Sequence, residues 1–400
     1  MKCSQDALYC GPPSAGVGRV LVIGRLNGVH RWFGEKTIYY THKARVAIRR
    51  ACELCGISEG DEVLAPSYNC GSEIDALQSN GASVVLYRVD RRAQVDLADL
   101  RRRLTNKTKA IYVTHYFGFP QPVAAIKNLA EEKGIYLIED CALSLFSRDG
   151  KVKIGTAGDI SVFNFPKTLP VPDGGALLIN NQDLVGESWS LRRPKASRVL
   201  RGMLPLFKRE ILRKSSGIKV LYPLMWAVLK RIHVPTRSAI RSVGERAEMP
   251  ESYYYDEQLS NMGVSAITRR MLATFTVSDV VNRRRDNFSL FLNLLSGVRR
   301  IEPLYKQLPE GVCPLYFPVI VRDRDYLCEK LNTLSIAAIS WWSGYHRAFP
   351  WDTYPDACFL KDNLLVLPIH QRLNREYIEF IATRLQKWIR TRFWVNRRES

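Results

Sequence analysis

Apolar residues at 47, 48, 51, 54 and 55 in "ARVAIRRACELCG" (44–56) recur at the spacing of one helix face, and Gly56 stands where a helix C-cap is expected. The pattern predicts a helix there. "GDEVLAPSY" then turns at Gly60-Asp61 into a short strand, "SVVLYRVD" (83–90) predicts a second, and "DLADLRRRL" (96–104) reads as a helix started by Asp96. "KAIYVTHYFG" (109–118) and "IYLIEDCA" (135–142) are apolar, β-rich runs separated by the helical "PVAAIKNLAEEKG". Near-continuous apolar strands alternating with helices predict a parallel sheet covered on both faces, so the core is α/β.

After Asn181 the alternation stops. Helical character resumes in "VSAITRRMLATFTVSDVVNRRRDNFSLFLNLL" (264–295), long enough to link two domains. The last hundred residues hold the strand "LYFPVIV", the aromatic stretch "ISWWSGYHRAFPW", the strand "NLLVLPIH" and a terminal helix from about Asn374. The expected organisation is an N-terminal segment (1–40), a large domain (41–295) interrupted by an insertion at about 187–250, and a small C-terminal α/β domain (296–400).

Composition narrows the partners. With 400 residues and 46% hydrophobic content the chain suits a soluble globular protein. "VLYPLMWAVL" (220–229) is about half the roughly 20 residues that span a bilayer, and the first 25 residues lack the pattern of a secretory signal. A cytoplasmic location is expected. The nine cysteines are scattered, and the CxxC at Cys52 and Cys55 lies in a helical pattern, so packing is the expected role and no metal site is expected.

The net charge is +20, and residues 187–250 hold fifteen Lys or Arg against four Asp or Glu, which is +11 of it. One reading of this segment is an amphipathic helical pair resting on anionic lipid, giving a peripheral membrane location. The other is a flap that covers a subunit contact or the substrate, its charges simply solvated. No nucleic-acid module accompanies the charge, so nucleic acid is not an expected partner.

In open α/β sheets, ligands gather beyond the carboxyl ends of the strands. Asp140 follows "IYLIE", His115 follows "IYVT", Asn164 follows "ISVF", and Lys167 lies three residues further, between prolines 166, 170 and 172 and glycines 174 and 175. The helix starting at Ala44 offers backbone N–H groups to an anion, and Arg45 in its first turn suits a bidentate contact with a phosphate. A carboxylate, a lysine on a braced loop and a phosphate-ready helix start together point to pyridoxal phosphate, which needs an amine, an acid for its pyridine nitrogen and a phosphate cradle. Taken singly, the same residues also read as a loop cation, a helix cap, a core histidine and a surface charge.

The stretches "GISEGDEVLAPSY", "DLADLRRRLTNKTKAIYVTHYFGFP", "GIYLIEDCA", "GTAGDISVFNFPK" and "DGGALLIN", in this order, resemble the DegT/DnrJ/EryC1/StrS family of pyridoxal-phosphate-dependent sugar aminotransferases. The segments near 264–288 and 366–385 are similar to that family as well, so the resemblance covers about 300 residues outside the insertion. It implies the aspartate aminotransferase-like fold type I, a homodimer, and transfer of an amino group, from glutamate as the expected donor, to a keto sugar. A nucleotide-linked sugar destined for polysaccharide, glycolipid or antibiotic is the implied acceptor. By the same resemblance Lys167 matches the Schiff-base lysine and Asp140 the partner of the pyridine nitrogen. Ala44, Arg45 and Asn164 fall at phosphate contacts. Cys70 stands where the family has a stacking aromatic ring, and Leu143 where it has Gln or His. Those two departures leave a binding or regulatory member without turnover as the alternative. His115, Tyr116, Tyr345 and His346 are the candidate substrate contacts, with Tyr68 a further one.

Overall fold

The fold is that of a computed structural model, which describes residues 28–186, 189–214, 246–298 and 300–395. Strands β1 (Thr37–Thr41), β2 (Glu62–Pro66), β3 (Ser83–Tyr87), β4 (Thr108–Thr114) and β5 (Tyr136–Asp140) precede a two-stranded hairpin, β6 (Arg148–Asp149) and β7 (Val152–Lys153). β8 (Ile160–Asn164) and β9 (Gly175–Ile179) complete a seven-stranded sheet of order β1-β9-β8-β5-β4-β2-β3. β2, β3, β4, β5 and β8 run parallel, and only β9 runs against its neighbours. This is the mostly parallel sheet that the alternating pattern predicts, and its five inner strands are almost wholly buried, while the edge strands β1 and β3 are partly exposed. Burying both faces removes the apolar surface from water at about 25 cal/mol per Å², which is why these strands carry no polar alternation.

A second, antiparallel sheet, β10 (Glu302–Pro303), β11 (Phe317–Ile320), β12 (Ile339–Ser340) and β13 (Leu364–Leu367), has the order β10-β11-β13-β12. The two sheets share one continuous apolar core, in which Phe291 stacks on Phe317 and Phe288 packs against it at a tilt. Polar ties cross between them as well: Leu315 N–H donates to the carbonyl of Phe117 at 3.0 Å, and the Tyr354 hydroxyl donates to that of Leu86 at 3.3 Å.

Local signals behave as their chemistry dictates. The helix Ala44–Leu54 ends before Gly56, whose φ is +61°, and Asp96 caps the helix Leu97–Arg103 by accepting from Asp99 N–H. The expected long helix over 264–295 is two helices, Ala266–Ala273 and Val277–Leu294. The Thr274 hydroxyl donates to the Met271 carbonyl at 2.8 Å and competes with the helical ladder there. β1 pairs into the large sheet from Thr37, so that sheet starts four residues before position 41.

Within the basic segment, Ala196–Lys214 is a helix with Pro205 inside it. Residues 187–188 and 215–245, which contain the apolar run 220–229, lie outside the described residues, as do 1–27. Among the described residues no helix is long and apolar enough to cross a membrane. Cys52 and Cys55 are buried in the core of the large sheet as free thiols.

Candidate active site

The parallel strands deliver their carboxyl ends to one edge. In register, Thr114 of β4 stands beside Asp140 of β5, which stands beside Val162 of β8, with Asn164 two residues on and on the same face. Asp140 is 5% exposed and accepts from Ala142 N–H at 2.9 Å. Burial pushes its carboxyl above the ordinary value, and the Lys167 charge works against that rise. The Tyr112 hydroxyl bears on the same carboxyl from β4.

Lys167 sits in a single helical turn, Phe165–Thr168, with Pro166 preorganising its start. The turn is held at both ends. Phe165 N–H donates to the Gly174 carbonyl at 3.1 Å, and the Thr168 carbonyl accepts from the Arg284 guanidinium at 2.9 Å and from Gln371 at 3.3 Å. Asp173 anchors the glycine end by accepting from Ser265 N–H and the Thr268 hydroxyl. The Lys167 ammonium itself stands 5.7 Å from the centroid of the Trp342 indole.

β1 leads into the helix Ala44–Leu54, whose start shares this edge. A Cβ on Gly175 would come within 2.6 Å of the Ala44 nitrogen, so the close approach of β9 to the helix start requires glycine. Ala44 and Arg45 occupy the first turn, where amides lack intrahelical acceptors. The Arg45 side chain departs from the expected phosphate contact: its guanidinium donates to the carbonyls of Ser252, Tyr253 and Tyr254, the last at 2.6 Å. Its backbone amide is what remains at the helix start. Lys43, the cap residue, is driven below the ordinary lysine value by burial and by the charges of Arg45 and Arg198. An anion there would relieve that crowding of cations.

Cys70 lies at this edge, but its thiol is committed: it donates to Glu73 Oε2 at 2.6 Å and lies 3.0 Å from the Ser72 hydroxyl, while its N–H donates to Glu73 Oε1 at 2.9 Å. Burial and the Glu73 charge push the thiol up to about 12, with Lys167 opposing. Leu143 is 1% exposed and belongs to the apolar core of the large sheet.

His115 is a correction. Strand alternation sends it to the opposite face from Asp140, where it is fully buried, with its Nε2 2.9 Å from Glu139 and its Nδ1 accepting from Gln121 N–H at 3.1 Å. It lines no substrate space. Tyr116 is likewise buried, its hydroxyl donating to the Tyr68 carbonyl at 2.6 Å and its ring against Tyr68 and Trp342, so it supports the site from behind. Tyr345 donates to Asp362 at 2.9 Å. His346 lies against Gly71, burial and the Arg347 charge lowering its imidazole below the ordinary value while the Asp75, Glu73 and Glu248 carboxylates oppose.

Two side chains here escaped sequence reasoning, Glu73 and Tyr112, while Trp342 lies in a stretch that reads equally as an approach to the site from the small domain and as packing. Glu73 is spaced three residues from Cys70, which reads as an ordinary first-turn acid, and Tyr112 sits inside an apolar strand.

Residues 29–201 match the model of the DegT/DnrJ/EryC1/StrS aminotransferase family. The GDP-perosamine synthase of Escherichia coli O157:H7 is 36% identical over 142 residues, 35% of this chain and 39% of that protein. The dTDP-4-dehydro-2,3,6-trideoxy-D-glucose 4-aminotransferase of Saccharopolyspora spinosa is 31% identical over 158 residues, 39% of this chain and 41% of its own. The matched stretch thus spans about two fifths of the length of these relatives. Solved structures agree over far more of the chain. The sugar aminotransferase Spr1654 from Streptococcus pneumoniae, in its PMP-form, superposes with a TM-score of 0.70 at 15% identity, covering 98% of this chain and 100% of that one. TlmJ, an aminotransferase from Streptoalloteichus hindustanus, gives 0.65 at 20%, covering 95% and 98%. The chain therefore has the fold of these aminotransferases, fold type I, and its residues 29–201, which carry Lys167 and Asp140, are similar to the DegT/DnrJ/EryC1/StrS aminotransferase family.

Proposed function

We propose that this chain is a pyridoxal-phosphate-dependent aminotransferase that moves an amino group, with glutamate as donor, onto a keto sugar carried on a nucleotide. The observation that carries the reading is the convergence of Lys167 and Asp140 beside a helix N-terminus crowded with cations. A fit with the cofactor is supported by the polar groups of this edge: the side-chain oxygens of Tyr68, Thr114 and Asn164 are buried without a hydrogen-bond partner among the described residues, and burying such groups unsatisfied is costly. A polar ring with a phosphate would satisfy them.

Asp140 would hold the pyridine nitrogen, the first-turn amides of Ala44 and Arg45 with Lys43 would hold the phosphate, and Lys167 would hold the reactive carbon. When bound, the cofactor supplies an electron sink for a carbanion. Lys167 would then take a proton from the carbon of the amino donor at its Nζ and return it, acting as base and then acid. The Arg284 and Gln371 bonds to Thr168 keep the stem of Lys167 in place while its amine swings. The substrate nucleotide is doubly anionic, which suits the basic surface of the chain. A homodimer, as the resemblance implies, and an acceptor from a glycan or antibiotic pathway complete the proposal.

Purified protein mixed with pyridoxal phosphate is expected to turn yellow, and glutamate is expected to bleach that absorbance as the amine form accumulates. Colourless protein after cofactor addition refutes the reading. Cofactor bound without any response to amino donors would instead favour a binding member of the fold.

A further inference from the structure

Trp342 has a backbone φ of +48°, in the left-handed region that bulky residues avoid. Such a conformation persists only where the surroundings enforce it. They do so here. Tyr68, Tyr116 and Trp341 surround the indole at centroid distances of 5.3, 5.9 and 5.8 Å. Behind it the fully buried Lys361 donates to the carbonyls of Asn69 at 2.7 Å, Gly344 at 2.8 Å and Trp342 itself at 3.3 Å. One ammonium thereby ties the segment after β12 to the loop after β2, the loop that carries Tyr68 and Cys70. The indole also meets Lys167 Nζ, which lies over the ring 5.7 Å from its centroid and within cation–π range.

Cys70 supplies no ring, and its thiol is spent on Glu73 and Ser72. We propose that Trp342 is the aromatic wall against which a flat heteroaromatic ring held at Lys167 rests, and that Lys361 is the residue that positions it. This rests on the cofactor reading given above. The wall comes from the part of the chain that carries the small sheet, so cofactor retention in this protein depends on how the two sheets are joined.

The full chain is titrated with pyridoxal 5'-phosphate, following visible absorbance and the quenching of tryptophan fluorescence. Trp342→Phe, which keeps a π-face, is expected to hold affinity within about threefold. Trp342→Leu, of similar apolar bulk, is expected to weaken binding about tenfold, as the loss of one ring–ring contact would, and to remove most of the quenching. Lys361→Met is expected to weaken binding as well, with Lys361→Arg recovering part of it. This second pair leaves residue 342 intact and carries the test should Trp342→Leu fail to fold. Equal affinity and quenching in Trp342→Leu and the parent overturn the inference, and so does equal loss in the Phe and Leu variants, which a packing role would produce. A parent chain that binds no cofactor refutes the function proposed above and takes the inference with it.

Discussion

Glu139 and Asp140 are consecutive acids in β5, both buried, and the structure treats them in opposite ways. Glu139 accepts from Gly155, Ala157 and Gly158 N–H at 3.1, 2.9 and 2.5 Å and is paired with His115. Burial alone would raise its carboxyl, but the His115 hydrogen bond and charge and the backbone donors bring it below the ordinary value. Asp140 has Ala142 N–H as its backbone donor, and burial leaves it raised. The first acid closes a loop against the sheet and is saturated. The second stands at an edge where the side-chain oxygens of Thr114 and Asn164 have no hydrogen-bond partner among the described residues. Saturation suits a residue that holds the fold together, and the partnerless oxygens beside Asp140 leave hydrogen-bonding capacity for a ligand.

The largest expected break in this comparison is Lys167→Ala. It should lower transamination by about 10³-fold or more and abolish the visible absorbance of bound cofactor, with a melting temperature close to that of the parent. A variant that keeps the spectrum would place the reactive amine elsewhere.

Glu139→Gln should act on stability instead, costing about 3 kcal/mol in urea unfolding because the amide nitrogen meets donors where the carboxylate accepted. The lowered carboxyl of Glu139 stabilises the fold above its unfolded value, ordinarily 4.5, and that contribution is lost as pH falls through the folded value. The gap between variant and parent should therefore shrink on acidification. A gap that is constant from neutral pH down to acid unfolding would argue against an ionised Glu139 carboxylate.

Asp140→Asn is expected to reduce turnover about 10²-fold while leaving stability unchanged or slightly improved at neutral pH. The sign is opposite to that of Glu139. A raised carboxyl favours the folded state at low pH and costs stability as pH rises through its unfolded value, ordinarily 3.8. Loss of stability as large as that of Glu139→Gln would erase the distinction between the two acids.

Arg45→Ala should have the smallest effect, about 1 kcal/mol of stability through the freed carbonyls of residues 252–254. Cofactor affinity should change less than threefold, because the backbone amide at 45 is kept. A tenfold loss would restore the side chain to the phosphate site.

Much of the large sheet was legible because both-face burial writes itself into sequence as unbroken apolar strands separated by helical patterns. The placement of Lys167 and Asp140 at the carboxyl edge of the sheet was legible because the carboxyl ends of such strands are where polar residues gather. His115 shares that signal and misled, since one residue of offset along a strand reverses the face. The split at Thr274–Thr276 was hidden because helical spacing of apolar residues continues across it.

By itself, the sequence determined the α/β class, the mostly parallel sheet and the lysine and acid at its edge, all set by local periodicity and position. Only the tertiary structure decided that Arg45 turns to the 252–254 carbonyls, that Glu73 claims the Cys70 thiol, and that Trp342 faces Lys167 from about 175 positions away in the chain. Those choices depend on which distant backbone groups and charges meet a side chain, and no spacing along the chain encodes that.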